Sequence, residues 1–389
     1  MRYLIGIDVS KFKHTASVID NDGVVYVEPF DFNNDIIGFQ LFLSTVSSFT
    51  NDDYIIGMED TGHYGDNLQR FLLSKELKVA MLNPLATNHI RLAFGKAKND
   101  KLDSVTIGSA LAMPRLYRII KDDHFSYHEI RELTRYRLHL TKSSNIYKNR
   151  LKKLIDITFP EFDSLFSTAY SNTYLKVLHD FQSAENIAST DIRTLRKALI
   201  VDRGRCVSIT AEELKSAAKQ SIGHSNFAME IEIRQTVEMI EKINSNLEAV
   251  EKKIEEFSRQ LNSPILAIPG ISHISAMSIL AEIGDFSKYE SAKQIIKLSG
   301  TNPFVYESGT YSMARTRLEK KGSKYLRATL YKTIQTVILF NPVFNQYYAK
   351  KRAEGKSHLC AQGHCVRKLL RIIYHILTTG KEFDPALLR

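Results

Sequence analysis

Cysteine is scarce in this chain. There are three among 389 residues, an odd and sparse set that excludes a disulfide framework and points to a reducing, cytoplasmic setting. Long apolar runs are missing too: no uninterrupted stretch approaches the ~18 residues that a membrane span requires, so no membrane partner is expected. The opening, Met1-Arg2-Tyr3-Leu4-Ile5-Gly6-Ile7-Asp8, reaches an acidic residue before an apolar region develops, which argues against a secretory leader. What is present is ordinary for a soluble globular protein, with 43% hydrophobic and 25% charged residues. The length allows two or three domains, because single cores rarely grow past ~250 residues.

The net charge of +10 is unevenly placed. Residues 131–153 hold eight Lys/Arg against one Glu, and residues 311–389 hold sixteen against four acidic residues. Together these segments carry +19, which leaves about −9 for the rest. Localised basic surface on an otherwise acidic chain fits a polyphosphate partner better than a general need for solubility. The alternative is a set of solvated helix faces.

Residues 3–9 read as a buried strand, since short apolar, β-branched runs bounded by polar residues behave that way. His14 to Ile19 and Val24 to Val27 flank Asp20-Asn21-Asp22-Gly23, a hairpin turn. Asn33-Asn34-Asp35 can cap a helix carrying Ile36, Phe39, Leu43 and Val46. Tyr54 to Met58 reads as a strand, Tyr64 to Leu73 as a helix, and Lys78 to Leu82 as a strand. The order β-β-β-α-β-α-β is the ribonuclease-H-like one, a mixed sheet with helices on its faces. From Asp103 onward the chain turns helical. Leu133 to Ile157 is a long basic amphipathic stretch, and residues 163–225 read as short helices without a motif. Ile233, Ile240, Leu247, Ile254 and Leu261 then recur every seven residues, with Ile243, Val250 and Phe257 between them. This heptad pattern predicts a coiled-coil or helical-hairpin seam, the alternative being one long helix packed within its own chain. Ile268-Pro269-Gly270-Ile271 opens the last region as a turn between helices, whose N–H groups could hold a phosphate. The basic run from Arg315 to Arg327 follows, then helices separated near Asn341-Pro342.

Four acids fall into a pattern. Asp8 ends the first strand, Glu59 lies just past the fourth, and Asp100 and Asp103 are three apart where a helix begins. In the expected fold the ends of the first and fourth strands are neighbours, and an i, i+3 pair shares one helix face. Four convergent carboxylates repel one another unless divalent cations neutralise them. Hard oxygen ligands favour Mg²⁺ or Mn²⁺, and two such ions ~4 Å apart suit phosphodiester displacement. The start, Gly6-Ile7-Asp8-Val9-Ser10-Lys11, also resembles the phosphate-binding opening of actin-like sugar kinases. Those enzymes need further Gly-rich phosphate and adenosine loops, and neither occurs in this sequence. His358, Cys360, His364 and Cys365 cluster in sequence, yet their spacing fits no standard zinc finger.

Gly6-Ile-Asp8-Val-Ser-Lys11, Glu59-Asp-Thr-Gly-His-Tyr64, Asn83-Pro84 and Lys98-Asn-Asp100-Lys-Leu-Asp103 resemble the RuvC-like DEDD domain of the IS110 family of bacterial insertion-sequence transposases. Ile268-Pro-Gly-Ile271, Ala281-Glu-Ile-Gly-Asp285, Tyr306-Glu-Ser-Gly309, Lys321-Gly322, Leu326-Arg327 and Arg367-Lys-Leu-Leu370 resemble that family's C-terminal transposase domain. The basic helix through Asn149-Arg150-Leu151 to Phe159-Pro160-Glu161 is similar to its middle. The resemblance implies an α/β plus all-α architecture: a RuvC-like DEDD domain over residues 1–124, a helical region over 125–262, and a mainly helical transposase domain over 263–389.

The resemblance further implies that Asp8, Glu59, Asp100 and Asp103 are the metal ligands and Ser308 the nucleophile, forming a transient phosphoserine link to DNA. A serine hydroxyl attacks poorly until deprotonated, and nearby Mg²⁺ eases that step. Candidate nucleic-acid contacts are Arg135, Arg137, Lys148, Arg150 and Lys152 on the basic helix. Arg315, Arg317, Lys320, Lys321 and Arg327 follow the serine, with Arg317, Lys320 and Arg327 best matched to the family's basic positions. Implied partners are element-end and target DNA, a structured non-coding guide RNA, and further protomers in a dimer or tetramer with composite active sites. Relatives called Piv invert DNA segments instead, and a junction nuclease with water as nucleophile is another reading of the acids. A third reading is a nucleic-acid-binding scaffold with degenerate acidic residues.

Overall fold

A computed structural model describes the chain apart from residues 60–61, 95–99, 121–123, 201–208, 305–306, 309–310, 313–316 and 386–389. The side chains of residues 85–86, 93–94, 100–101, 124–126, 304, 307–308, 311–312 and 317 also lie outside the description. The chain divides into two compact units, Met1–Phe125 and Ser126–Arg389.

The first unit runs β1 (Arg2–Asp8), β2 (Lys13–Asp20), β3 (Val25–Asn33), α1 (Ile36–Val46), β4 (Asp53–Glu59), α2 (Asp66–Ser74), β5 (Val79–Leu82), α3 (Pro84–Phe94), α4 (Asp100–Leu111) and β6 (Tyr117–Ile119). The strands form one six-stranded sheet in the order β3-β2-β1-β4-β5-β6. β1 pairs with β4 and β4 with β5 in parallel, while β2, β3 and β6 are antiparallel to their neighbours. The expected order of strands and helices is therefore present, with β6 as an added edge strand that its three residues did not announce. Alternation along the strands sorts the core into two layers. Ile5, Ile7, Ile56 and Met58 join α1 and α2 on one face. Leu4, Ile55, Ala80 and Leu82 join Ile107, Ala110 and Leu111 of α4 on the other.

The second unit is helical: α5 (His124–Thr158), α6 (Asn172–Phe181), α7 (Ala184–Ser189), α8 (Ile192–Ala198), α9 (Ala211–Gln220), α10 (Phe227–Leu261), α11 (His273–Ile283) and α12 (Ala292–Leu298). Four two-residue strands follow, β7 (Pro303–Phe304), β8 (Glu307–Ser308), β9 (Tyr311–Ser312) and β10 (Arg317–Leu318). The chain closes with α13 (Lys324–Phe340), α14 (Pro342–Ala353) and α15 (His358–Thr379). Asn226 caps α10 by accepting from Met229 N at 3.0 Å, and Asn262 ends it in the left-handed region.

The heptad helix finds its partners inside the chain. Ile233, Val237 and Ile240 share a core with Leu151, Leu154 and Ile155 of α5 and with α6, α8 and α9. Ile243, Val250 and Ile254 share another with Ile130 and Leu140 of α5 and with α11, α13 and α15. Ion pairs Arg137–Glu251 and Arg150–Glu232 show α5 and α10 running antiparallel. The heptad stretch is thus one long helix packed within its own chain, with Ile233, Ile240, Ile243, Val250 and Ile254 buried and Leu261 at its end left exposed. A seam of this period accepts any apolar helix at the right angle, so the sequence pattern did not say which helix would fill it. The Pro269-Gly270 turn docks on α13, where Thr336 Oγ1 donates to Gly270 O at 2.8 Å.

Among the described residues, no helix is long and apolar enough to cross a membrane.

Candidate functional site: an acidic sheet edge and a serine hairpin

The acidic residues are positioned by strand parity and by glycine. Asp8 follows Leu4 and Gly6 at intervals of two, so it shares their face of the sheet. Glu59 follows Ile55 and Gly57 in the same way. The parallel register aligns Gly6 with Gly57 and Ile7 with Met58, which sets Asp8 beside Glu59 at the C-terminal ends of adjacent strands. Gly6 then admits a helix against that face. A Cβ on Gly6 would lie 2.1 Å from Ser104 O and 2.4 Å from Gly108 N, so α4 and β1 meet backbone to backbone. Gly108 sits over Leu4 and Ser104 over Gly6, hence α4 runs antiparallel to β1. Its first turn, carrying Asp100 and Asp103, reaches the end of the sheet where Asp8 and Glu59 stand.

α3 supports this edge. Thr87 is buried and donates from its hydroxyl to Glu59 Oε1. One turn later, Arg91 Nη1 lies 3.9 Å from Asp103 Oδ1, whose side chain is only 15% exposed. Thr87 and Arg91 are four apart and so share a face of α3. The sequence motifs did not single out either residue. The cue available was their i, i+4 spacing directly after Asn83-Pro84.

The donors suit a hard divalent cation, being carboxylate oxygens on a rigid sheet edge. The side chain of Asp100 lies outside the described residues. Among the described residues no three His, Cys, Asp or Glu side chains close into a ligand set. Of the thiol and imidazole cluster, Cys365 is buried, which pushes its thiol up to about 11. Cys360 is exposed, His358 bonds Tyr348 and His364 bonds Arg367.

Ser308 lies in the second unit on a nested hairpin. β8 pairs antiparallel with β9, Ser308 opposite Tyr311, and β7 pairs antiparallel with β10. The Ser308 side chain is outside the described residues, as are Arg315 and the side chain of Arg317. The foot of the hairpin is well defined. Arg327 Nη1 donates to Ser299 O at 3.2 Å and Lys320 O at 3.3 Å, and Arg367 Nη1 donates to Thr301 O at 3.4 Å. Lys320 and Gly322 adopt positive φ of 54° and 107°. A Cβ at Gly322 would fall 2.2 Å from Leu298 O, so only glycine fits that turn. Ser323 caps α13, accepting from Leu326 N at 3.0 Å while donating to Glu282 Oε2 at 2.6 Å.

Several of the expected nucleic-acid contacts are engaged within the chain. Arg135 makes a two-point bond to buried Glu282, at 2.6 and 3.1 Å, and stacks on Tyr325 at 4.5 Å. Arg137 pairs with Glu251 at 2.5 Å and Arg150 with Glu232. Lys152 pairs with Asp163 at 2.8 Å and Asp156 at 3.3 Å. Lys148 lies over the Tyr170 ring at 5.3 Å. Beyond the serine, Lys321 pairs with Glu319 at 3.3 Å and Arg327 holds main-chain carbonyls.

Comparison with known proteins places two families on the chain. Residues 5–160 match the DEDD transposase family of IS110 type, and residues 262–349 match the transposase family of IS116, IS110 and IS902. The 44.8 kDa protein of insertion element IS116 from Streptomyces clavuligerus is 22% identical, covering 99% of this chain and 97% of its own length. The 43.6 kDa protein of insertion element IS110 from Streptomyces coelicolor is 23% identical, covering 79% of this chain and 77% of its own length. The pilin gene-inverting protein of Moraxella bovis is 28% identical over 31% of this chain and 38% of its own length.

Proposed function

This chain belongs to the IS110 family of transposases and acts in DNA transposition or recombination; we propose that its first unit is a RuvC-like DEDD domain working with Ser308 of the second. The observation that carries the proposal is the sheet edge. Parallel pairing of β1 and β4, with α4 admitted by Gly6, gathers Asp8, Glu59 and the acidic turn of α4 on one face.

In this reading Asp8, Glu59, Asp100 and Asp103 hold Mg²⁺ or Mn²⁺, two ions in the full arrangement. When bound there, such a cation would supply positive charge against a phosphate under attack and favour the ionised form of an attacking hydroxyl. Thr87 orients the Glu59 carboxylate through its hydroxyl, and Arg91 adds a positive charge beside Asp103. Ser308 Oγ forms a bond to a DNA phosphorus as the bond to one sugar oxygen breaks. That oxygen leaves with a proton, and the serine ester conserves the bond for rejoining to another strand. Arg315, Arg317, Lys320 and Lys321 approach the DNA backbone around the hairpin. We extend the reading, on the family resemblance, to a structured non-coding guide RNA and to a dimer or tetramer with composite sites. Inversion of a DNA segment is a second outcome of the same chemistry, supported by the likeness to the pilin gene-inverting protein.

The test is to incubate the protein with labelled element-end DNA and Mg²⁺, then denature. A DNA-linked protein band that vanishes in Ser308→Ala supports the serine. Cleavage that survives the change assigns the attack to water and makes the protein a junction-type nuclease.

A further inference from the structure

We infer that the segment between the two family matches carries a binding cleft for a nucleic-acid phosphate backbone, built from Lys176, Lys197 and Arg234. The cleft has a volume of ≈ 590 Å³ and lies where α6, α8 and α10 meet. Its walls are fixed, because Phe181 and Ala198 beneath it are buried in the core that α10 shares with the short helices.

Charge accounting within the cleft leaves a cationic surplus. Its two carboxylates serve its histidine: His179 Nδ1 lies 3.0 Å from Asp180 Oδ1, and Nε2 lies 3.5 Å from Glu238 Oε1. The hydrogen bond to Asp180, reinforced by Glu238, raises the imidazole above its ordinary pKa and favours the cation. Lys176, Lys197 and Arg234 are exposed on three different helices, and among the described residues none has a carboxylate partner. The basic helix α5 differs on this point, since Arg135, Arg137, Arg150 and Lys152 are each held by a carboxylate of the same chain. Three unneutralised cations around one cleft repel each other and are relieved by a multivalent anion. The cleft is open, and its aromatic wall, Phe181, is buried, so no exposed ring offers a base a stacking surface. That arrangement suits the backbone of an extended polynucleotide better than an isolated nucleotide.

The experiment uses the full chain and a fluorescent single-stranded oligonucleotide of about 20 residues, as RNA and as DNA, in a salt titration. The variant K176E/K197E/R234E should bind at least about ten-fold more weakly at low salt, with the slope of log affinity against log salt reduced by about 2–3. A control variant, K219E/K252E, should stay within about two-fold of the parent. Each single neutralisation, Lys176→Gln, Lys197→Gln or Arg234→Gln, should lower the slope by about 0.7, the single-strand value. Equal affinity and slope in parent and triple variant would overturn the assignment. Acetylation footprinting adds an independent arm: the oligonucleotide should protect Lys176 and Lys197. Protection by a nucleoside triphosphate but not by the oligonucleotide would replace the polynucleotide with a small anion. Raising pH through the His179 titration frees the charges of Asp180 and Glu238 toward Lys176, Lys197 and Arg234, so affinity should fall, and His179→Gln should remove that step. Ser308→Ala should bind as the parent does, which separates this cleft from the fate of the serine mechanism.

Discussion

The acidic edge and the serine hairpin are built by opposite means. The edge is main-chain architecture: parallel strands in register, a helix admitted by glycine, and carboxylates whose direction follows from strand parity. The hairpin is two pairs of two-residue strands whose foot is held by side chains, chiefly Arg327 and Arg367 donating to carbonyls. Under the proposed mechanism, ligands that must converge on one point gain from a scaffold that cannot shift, and a nucleophile that must meet a strand of DNA is carried instead on a short element tied down by a few bonds. The contrast implies that damage to the edge scaffold costs the fold, whereas damage at the foot costs the reaction.

The largest effect is expected at Asp8. Asp8→Asn should lower strand cleavage by roughly three orders of magnitude or more while leaving the melting curve near that of the parent, as measured by single-turnover cleavage and circular dichroism. Gly6→Val comes next. Its side chain would run into the backbone of α4, so the first unit should lose on the order of 4 kcal/mol or more, seen as loss of soluble folded protein or a collapsed urea midpoint. At the hairpin, Arg327→Ala removes two bonds to main chain. It should slow cleavage about ten- to a hundred-fold with DNA affinity changed far less; a proportional loss of affinity would return Arg327 to the role of a phosphate contact. Arg135→Ala leaves Glu282 with Ser323 but without its cation and should destabilise the second unit by about 3 kcal/mol. Arg150→Ala breaks an exposed pair and should leave the denaturation midpoint close to that of the parent, a difference that denaturant titration of the two variants can resolve.

Much of the edge was legible because it depends on periods. The alternation through Leu4, Gly6 and Asp8, and the three-residue step from Asp100 to Asp103, are local facts that fix a face before any fold is known. Gly6, Gly57 and Gly108 were also visible, yet their meaning was not, since close approach of β1 and α4 joins residues a hundred positions apart. The strand β6 was hidden by its brevity. The heptads correctly announced a long amphipathic helix, but its partners, α5 and the helices of two cores, are chosen by tertiary packing. The basic run of α5 shows the limit most plainly. Arg135 reads as a phosphate contact in sequence, while its bidentate partner Glu282 stands 147 residues away and is buried. Conversely, Lys176, Lys197 and Arg234 form no run at all, and only the fold brings them to one cleft.

The most direct measurement is the identity of the residue that takes up DNA. Wild-type protein and Asp8→Asn are incubated with element-end DNA and Mg²⁺, digested with protease and nuclease, and mapped by mass spectrometry. The split-site account predicts a nucleotide phosphate on the peptide containing Ser308 in the wild type and none in Asp8→Asn. Cleaved DNA with free ends and an unmodified Ser308 peptide, or a phosphate carried by another residue, would contradict it.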